Sequence, residues 1–255
     1  MLTPELSVIL PCYNERAALA DAIAVYCREL TAAGVEDFEL VVVNDASTDG
    51  TGELAEELAR SEPRLRVFHH ERNQGQSGGI LTGFRAARGR VLTHNGIDLP
   101  FHPRDAARML ALVRDGADVV VVERANRQAY SLVRKVVSWT NVLLLRLLFG
   151  SPFRDHNFVQ FYRREVIESL PVVSRGVSTV TAELLFRARR AGYRVEACPA
   201  EYHARTVGVS TVTPAKVLHA VTETFRLRWL MWVGPSAARQ AAALPTPAAT
   251  TEAHS

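Results

Sequence analysis

VVVNDASTDGT, residues Val41 to Thr51, decides how the fold is read. Val41, Val42 and Val43 stop abruptly at Asn44 and Asp45. A short apolar run bounded by turn residues suits a strand buried on both faces. Ser47, Thr48 and Asp49 are residue types that cap the helix opening at GELAEELAR. The stretch therefore delivers a carboxylate, Asp45, to the C-terminal edge of a buried strand, beside a helix N-terminus. Ligands of open α/β sheets sit at that edge. Asp49 is read as a turn and capping residue. Asp45 is read as a ligand contact, because a second polar turn ends the first strand.

That first strand is Leu6 to Leu10, stopped by Pro11, and Asn14 is placed to cap the following helix. Ala18, Ile23, Val25, Tyr26 and Leu30 give this helix a mostly apolar face, and Gly34 ends it. The strand Phe38 to Val43, the helix Gly52 to Arg60 and the strand Leu65 to His69 follow. Strand–helix alternation at this spacing predicts a parallel sheet in an α/β domain. Gly75, Gly78, Gly79 and Gly83 then start or line a helix. Close packing on the sheet explains Gly83, whereas Gly75 and Gly78 also let backbone approach a phosphate or base. The run is not GxGxxG and follows the third strand, which argues against a dinucleotide fold. Asp49-Gly50-Thr51 echoes the DxDGT of haloacid dehalogenase phosphatases, but Ser47 occupies the nucleophile position. Further strands are read at Gly89 to Thr93, Ala117 to Val122 and Phe158 to Tyr162, with helices at Arg104 to Arg114 and around Glu183.

The chain has 255 residues, 47% hydrophobic and 22% charged, an ordinary composition for one large α/β domain. A net charge of +3 does not indicate nucleic acid. Cys12, Cys27 and Cys198 are scattered and odd in number, so neither a zinc site nor a disulfide framework is expected. A reducing, cytoplasmic setting fits. The first residues lack the basic flank and apolar length of a signal peptide. No run of about 18 uncharged apolar residues suggests a membrane span.

Four segments now fall in order at strand ends: PCYNE, VNDASTDGT, RNQGQSGG and GIDLPFHP. This pattern resembles glycosyltransferase family 2, the inverting, nucleotide-sugar-dependent enzymes of the GT-A fold, and within it the dolichol- and polyprenol-phosphate sugar transferases. The resemblance runs from about Leu6 to about Ser210. It implies a Rossmann-like, mostly parallel sheet flanked by helices, with C-terminal helices that lie in a membrane interface or pack on the domain. One GT-A domain over 1–236 is expected, its nucleotide-binding half 1–124 and its acceptor half 125–236, followed by a disordered tail, 237–255.

The resemblance also implies roles. Pro11, Tyr13, Asn14 and Glu15 match the family's first loop, which holds base and ribose. Asp45 matches the second acid of DDGSxDGT, with Asn44 in place of the first. Asn73 and Gly75 match the NxG that closes over the nucleoside. Asp98 matches the last acid of DxD, the ligand of Mg2+ or Mn2+ against the diphosphate, while Gly96 stands where the first acid belongs. Magnesium usually takes one or two carboxylates, so Asp98 alone anchors a weaker site. His94 is read as a turn histidine without a ligand role. Glu123-Arg124 matches a GSR turn, Arg134 a phosphate-binding position, Asp155 the acid of DxxxGF, and Arg205 an RxxGxS loop. Guanidinium groups bind phosphates through a bidentate fork. Glu183 matches the region of a catalytic base toward hydroxyl acceptors. A phosphate acceptor, already ionised at neutral pH, needs no strong base, and Glu183 then orients an arginine or the acceptor, or serves only as a helix N-terminal acid.

The segments Ser131 to Gly150 and Lys216 to Val233 carry arginines and tryptophans beside apolar faces. They suit interfacial helices, and equally core helices or a dimer contact; the sequence leaves the oligomeric state open. The expected function is transfer of a sugar from a nucleoside-diphosphate sugar to a polyprenyl phosphate, in the cytoplasm and peripherally at the inner face of the membrane. Alternatives are transfer to a hydroxyl of a metabolite or glycan, and a nucleotide-binding protein that has lost catalysis.

Overall fold

A computed structural model describes residues 3–125, 142–172, 174, 179–202 and 214–233. The strands are β1 (Leu6–Cys12), β2 (Phe38–Asn44), β3 (Leu65–His69), β4 (Val91–His94), β5 (Val119–Arg124), β6 (Gln160–Arg163) and β7 (Val195–Ala200). They form one sheet in the order β3-β2-β1-β4-β6-β5-β7, in which only β6 runs antiparallel to its neighbours. All six other strands therefore end at the same edge, the edge expected to bind ligands.

The period-2 alternation of the strands sorts their side chains onto two covered faces. Leu6, Val8, Leu10, Leu40 and Val42 pack with Leu19, Ile23, Tyr26 and Leu30 of α1 (Arg16–Ala32) and Met109, Leu110 and Val113 of α4 (Ala106–Arg114). Ile9, Val41, Val43 and Leu92 face the other way, toward Ile80 and Phe84 of α3 (Gly75–Ala86) and toward α7 (Val180–Arg190). Both faces are thus buried, which is why the strands read as unbroken valine and leucine runs. Gly83 is at the closest approach: a Cβ there would fall on Ile9 Cγ2, and one on Gly79 would lie 2.7 Å from Pro11 Cβ.

Three local expectations change. Pro11 does not stop β1; it continues the strand, opposite Val43. Leu6 and Cys12 direct their backbone bonds to the β2 side, whereas Ile9, and hence Pro11, faces β4. β4 pairs only as far as Ile9, so the missing N–H of Pro11 forfeits no ladder bond. Asn14 does not cap α1, whose N-cap position is Glu15; Asn14 has φ 54 and joins two loops instead. Several boundaries also shift by a few residues: β5 extends to Arg124, and a 3-10 turn, Pro103–Asp105, precedes α4.

On the α7 side, residues 142–149 lie in helix α5, and α8 spans Pro214–Val233; the short α6 (Arg164–Ser169) follows β6. Leu145 and Leu227 pack with Leu185 and Phe186 of α7 and with Val121 of β5. Leu143, Leu147, Phe225 and Trp229 are exposed. Each helix thus combines a packing stripe with exposed apolar side chains. Among the described residues no helix is long and apolar enough to cross a membrane. Residues 126–141 and the tail 237–255 lie outside the described residues.

Candidate functional site

The ends of β1 and β2 are locked together by their loops. The Asn14 N–H donates to Ser47 Oγ (3.0 Å), and the Thr48 N–H donates back to Asn14 Oδ1 (2.9 Å). The Glu15 N–H donates to Thr51 Oγ1 (2.9 Å) and the Arg16 N–H to Asp49 Oδ2 (3.1 Å). Asp49 also accepts from the Thr51 N–H at 3.0 Å, at the start of α2 (Thr51–Ser61), and its bond from the Thr51 hydroxyl holds its carboxyl below the usual range. Asp49 thus satisfies the Arg16 N–H across the interface and the Thr51 N–H within its own loop, the turn role read for it, while the N-cap position of α2 is Gly50 rather than Ser47, Thr48 or Asp49. Tyr13, in the loop after β1, is about half exposed.

Asp45 sits deeper, with three N–H groups converging on its carboxylate. Oδ1 accepts from Gln74 N (2.7 Å) and from His70 Nδ1 (2.7 Å), and Oδ2 accepts from Gly75 N (2.8 Å). The carboxylate caps the positive end of α3. Asn73 completes the turn: its Nδ2 donates to Asp45 O (3.3 Å) and its Oδ1 accepts from Gly75 N (3.1 Å). Gly75, at φ 75, supplies the left-handed residue that this turn requires. Pro11, Tyr13, Asn14, Glu15, Asp45, Asn73 and Gly75 thus lie around one strand edge. His70 was not singled out from the sequence. Its signal lies in the register: Asn44 pairs with His69, so the next residue of each strand meets across the same edge.

Asp98 lies in the turn after β4. Asn95 builds that turn, its Nδ2 donating to Phe101 O (2.7 Å). The Tyr26 hydroxyl donates to Gly96 O (3.1 Å), as does Leu99 N (3.1 Å). Leu99, at φ 52, is the left-handed residue of the turn. The Asp98 carboxylate lies where a Cβ on Gly96 would be. Among the described residues no three His, Cys, Asp or Glu side chains converge as a metal cluster. Asp98 is the acid that this turn would offer a divalent ion, and a single carboxylate suits an ion whose remaining shell is phosphate oxygens and water.

His94 is not a turn residue. It ends β4, is buried beside Phe84 in an edge-to-face contact, and its Nδ1 has no partner. Burial pushes its pKa down to about 4, so the ring is neutral. Burial likewise pushes the Cys12 thiol up to about 12, with Glu15, Asp49 and Asp45 adding to the shift, which leaves no thiolate at this edge.

Arg124 reaches the same edge at the end of β5. It is joined to Asp155 and lies over the rings of Phe158 (5.1 Å) and Tyr202 (5.5 Å). Glu183, in the first turn of α7, is fully buried. Its Oε1 accepts from Arg187 Nε and its Oε2 from Ser174 N, both at 2.7 Å. Arg134 and Arg205 lie outside the described residues.

The family model described as "Glycosyl transferase family 2" matches residues 7–170. The chain is 30% identical to glycosyltransferase AglD of Haloferax volcanii over 247 residues, 92% of this chain and 39% of that protein. It is 33% identical to an undecaprenyl-phosphate 4-deoxy-4-formamido-L-arabinose transferase of Pectobacterium carotovorum over 171 residues, 65% of this chain and 50% of that protein. The chain thus spans half or less of the length of these curated relatives. Among solved structures it is similar to the mannosyltransferase PcManGT from Pyrobaculum calidifontis in complex with GDP-Man and Mn2+. There the TM-score is 0.61 at 19% identity, covering 96% of this chain and 77% of that one. It is also similar to glucosyl-3-phosphoglycerate synthase from Mycobacterium tuberculosis in complex with Mn2+, UDP-glucose and phosphoglyceric acid. That TM-score is 0.64 at 18% identity, covering 89% of this chain and 80% of that one. These likenesses establish the GT-A fold.

Proposed function

Because the chain belongs to glycosyl transferase family 2, we propose that it transfers a sugar, with inversion, from a nucleoside-diphosphate sugar to a polyprenyl phosphate. The observation that carries this reading is the interlocked edge formed by Asn14 with Ser47 and Thr48, and by Asp45 with Gln74 and Gly75. Two strand ends and a helix N-terminus are bound into one rigid rim where open α/β sheets take nucleotides. The undecaprenyl-phosphate specificity in the name of the Pectobacterium relative supports a polyprenyl phosphate acceptor.

In this reading the half 1–124 holds the donor. Tyr13 offers an exposed ring face to the base, and Asn73 and Gly75 close over the nucleoside. An acceptor phosphate oxygen attacks the anomeric carbon as the bond to the nucleoside diphosphate breaks, and the electron pair leaves with the diphosphate. Asp98 would hold Mg2+ or Mn2+, an ion that supplies charge neutralisation at the diphosphate when bound. Arg124, Arg134 and Arg205 add fixed positive charge, and the half 125–236 receives the acceptor. Glu183 acts by holding Arg187 and the backbone at Ser174 rather than as a base, since it has no exposed surface. Peripheral contact with the cytoplasmic face of a membrane is assigned to the exposed residues of α5 and α8.

The test is calorimetric titration with UDP and GDP, followed by transfer of labelled sugar into an organic-extractable polyprenyl product. Asp45→Ala is expected to weaken nucleotide binding in a folded protein. Label that stays in the aqueous phase on a hydroxyl acceptor would reject the lipid acceptor. The absence of any nucleotide binding would reject the site.

A further inference from the structure

Two adjacent side-chain pairs, Asn44 with His69 and Asp45 with His70, join the ends of β2 and β3, and their hydrogen bonds assign opposite tautomers to the two imidazoles. Asn44 Oδ1 accepts from Ser47 N (3.2 Å), so its amide nitrogen is the atom 3.0 Å from His69 Nδ1. His69 Nδ1 therefore accepts, and its Nε2 donates to Glu56 Oε1 (2.9 Å). His70 is reversed. The Asp45 carboxylate, which already accepts two backbone N–H groups, can only accept, so His70 Nδ1 carries the proton it gives to Asp45 Oδ1. His70 Nε2 lies 2.9 Å from Thr82 Oγ1 on α3. Both members of the Asp45–His70 pair have side chains only 5% exposed.

His70 is thus anchored to α3 on one side and fixes the carboxylate on the other. That carboxylate holds the Gln74 and Gly75 amides, and hence the turn carrying Asn73. We propose that His70 is a positioning residue for donor binding: through Asp45 it sets the 73–75 turn in the shape that closes over the nucleoside diphosphate. The inference rests on the nucleotide-site reading above and adds a residue to it. His69 serves a different end, since it ties β3 to α2 through Glu56 and leaves the 73–75 turn untouched.

The two amide replacements of His70 separate positioning from bulk. Asparagine places an N–H donor where Nδ1 is, and glutamine places its amide where Nε2 is. His70→Asn is expected to bind UDP or GDP within about twofold of wild type, and His70→Gln roughly tenfold more weakly, the scale of one hydrogen bond to a charged group. The donor KM should rise in the glutamine variant while kcat at saturating donor stays unchanged. Without ligand, the Gln74 and Gly75 amides should exchange faster in His70→Gln than in His70→Asn. If glutamine, the closer match in size, restores binding better than asparagine, or if both bind as wild type does, the inference is overturned while the nucleotide site stands. If wild type binds neither UDP nor GDP, the site reading fails and takes the inference with it. Should His70→Gln not fold, Thr82→Val carries the test, with an expected loss of about threefold for a neutral hydrogen bond. Unchanged affinity in a folded Thr82→Val protein would then overturn it.

Discussion

Asp155 grips Arg124 by backbone and side chain together. Its Oδ2 accepts the Arg124 backbone N–H at 2.9 Å, and its Oδ1 accepts the Nε–H at 3.0 Å. The carboxylate is almost fully buried, and the guanidinium is about one-fifth exposed, over Phe158 and Tyr202. The end of β5 and the loop before β6 are thereby fixed to each other at the ligand-binding edge.

Asp155→Ala should therefore be costly. It removes the carboxylate from a mostly buried guanidinium and from a backbone donor together, and breaking a buried pair from one side costs about 3 kcal/mol. Asp155→Asn keeps an acceptor oxygen and should lose less. Urea unfolding of the two variants checks the order, and equal stabilities would show that the pair does not hold this loop.

His94 gives a stability term with a defined sign. Its folded-state pKa, about 4, lies below the ordinary 6.5 because burial disfavours the charged ring. Folding therefore favours the neutral form. The term is fully present above the ordinary value, shrinks as pH falls below it, and is exhausted near the folded value. Its full size is on the order of 3 kcal/mol. His94→Leu removes this dependence, so wild type should lose stability relative to the variant from about pH 7.5 to about pH 4.5 by urea denaturation. A gap independent of pH would mean that the ring is already accessible to protons.

The parallel sheet, the order of its elements and the edge that carries the loops were all legible in the valine runs and the turn residues beside them. Pairings that depend on register were not. Pro11 read as a strand stop because the sequence does not show that the pairing of β1 with β4 ends at Ile9, opposite His94. Asn14 read as a cap because its left-handed backbone and its partners on the β2 side, Ser47 and Thr48, arise only when the two loops meet. His94 read as a turn residue because the strand end was placed one residue early, and its burial depends on α3 lying across it. Local pattern identifies which residues end strands; which side chains face one another there is set by non-local packing.

The exposed apolar residues of α5 and α8 predict salt-sensitive binding to anionic vesicles. Leu147 on α5 and Trp229 on α8 are 75% and 59% exposed, and Arg226 and Arg228 of α8 are exposed as well. Tryptophan and arginine in this setting suit the headgroup region, and charge attraction there is screened within about 10 Å at 0.1 M salt. Trp229→Ser should reduce co-sedimentation without changing the melting temperature, because the side chain lies outside the packed stripe of Leu227. Failure of wild type to sediment with such vesicles at low salt would remove the membrane from the proposal.

Gly96 and Asp98 yield the sharpest prediction for the metal. One carboxylate at this turn means that a divalent ion should bind weakly alone and more tightly with a nucleoside diphosphate, whose oxygens complete its shell. Gly96→Asp adds a second acid. The backbone permits it, since Gly96 is not among the left-handed residues of the chain and its carbonyl is already held by Tyr26 and Leu99. The obstacle is the Asp98 carboxylate, which lies where the new Cβ would go. This is the far end of a rotatable side chain, so Asp98 must swing aside, and the ion must then draw both acids together. The gain from a second anionic ligand is about 1–3 kcal/mol on the scale of hydrogen bonds to charged groups, less the cost of that rotation. Mn2+ titration in the presence of UDP or GDP, followed by calorimetry, should therefore show an affinity up to about tenfold higher in Gly96→Asp, with circular dichroism confirming the fold. A folded variant with no gain would mean that position 96 does not face the ion. Nucleotide affinity equal in metal and in excess chelator, for wild type and variant alike, would leave the diphosphate to the arginines and remove Asp98 from the metal site.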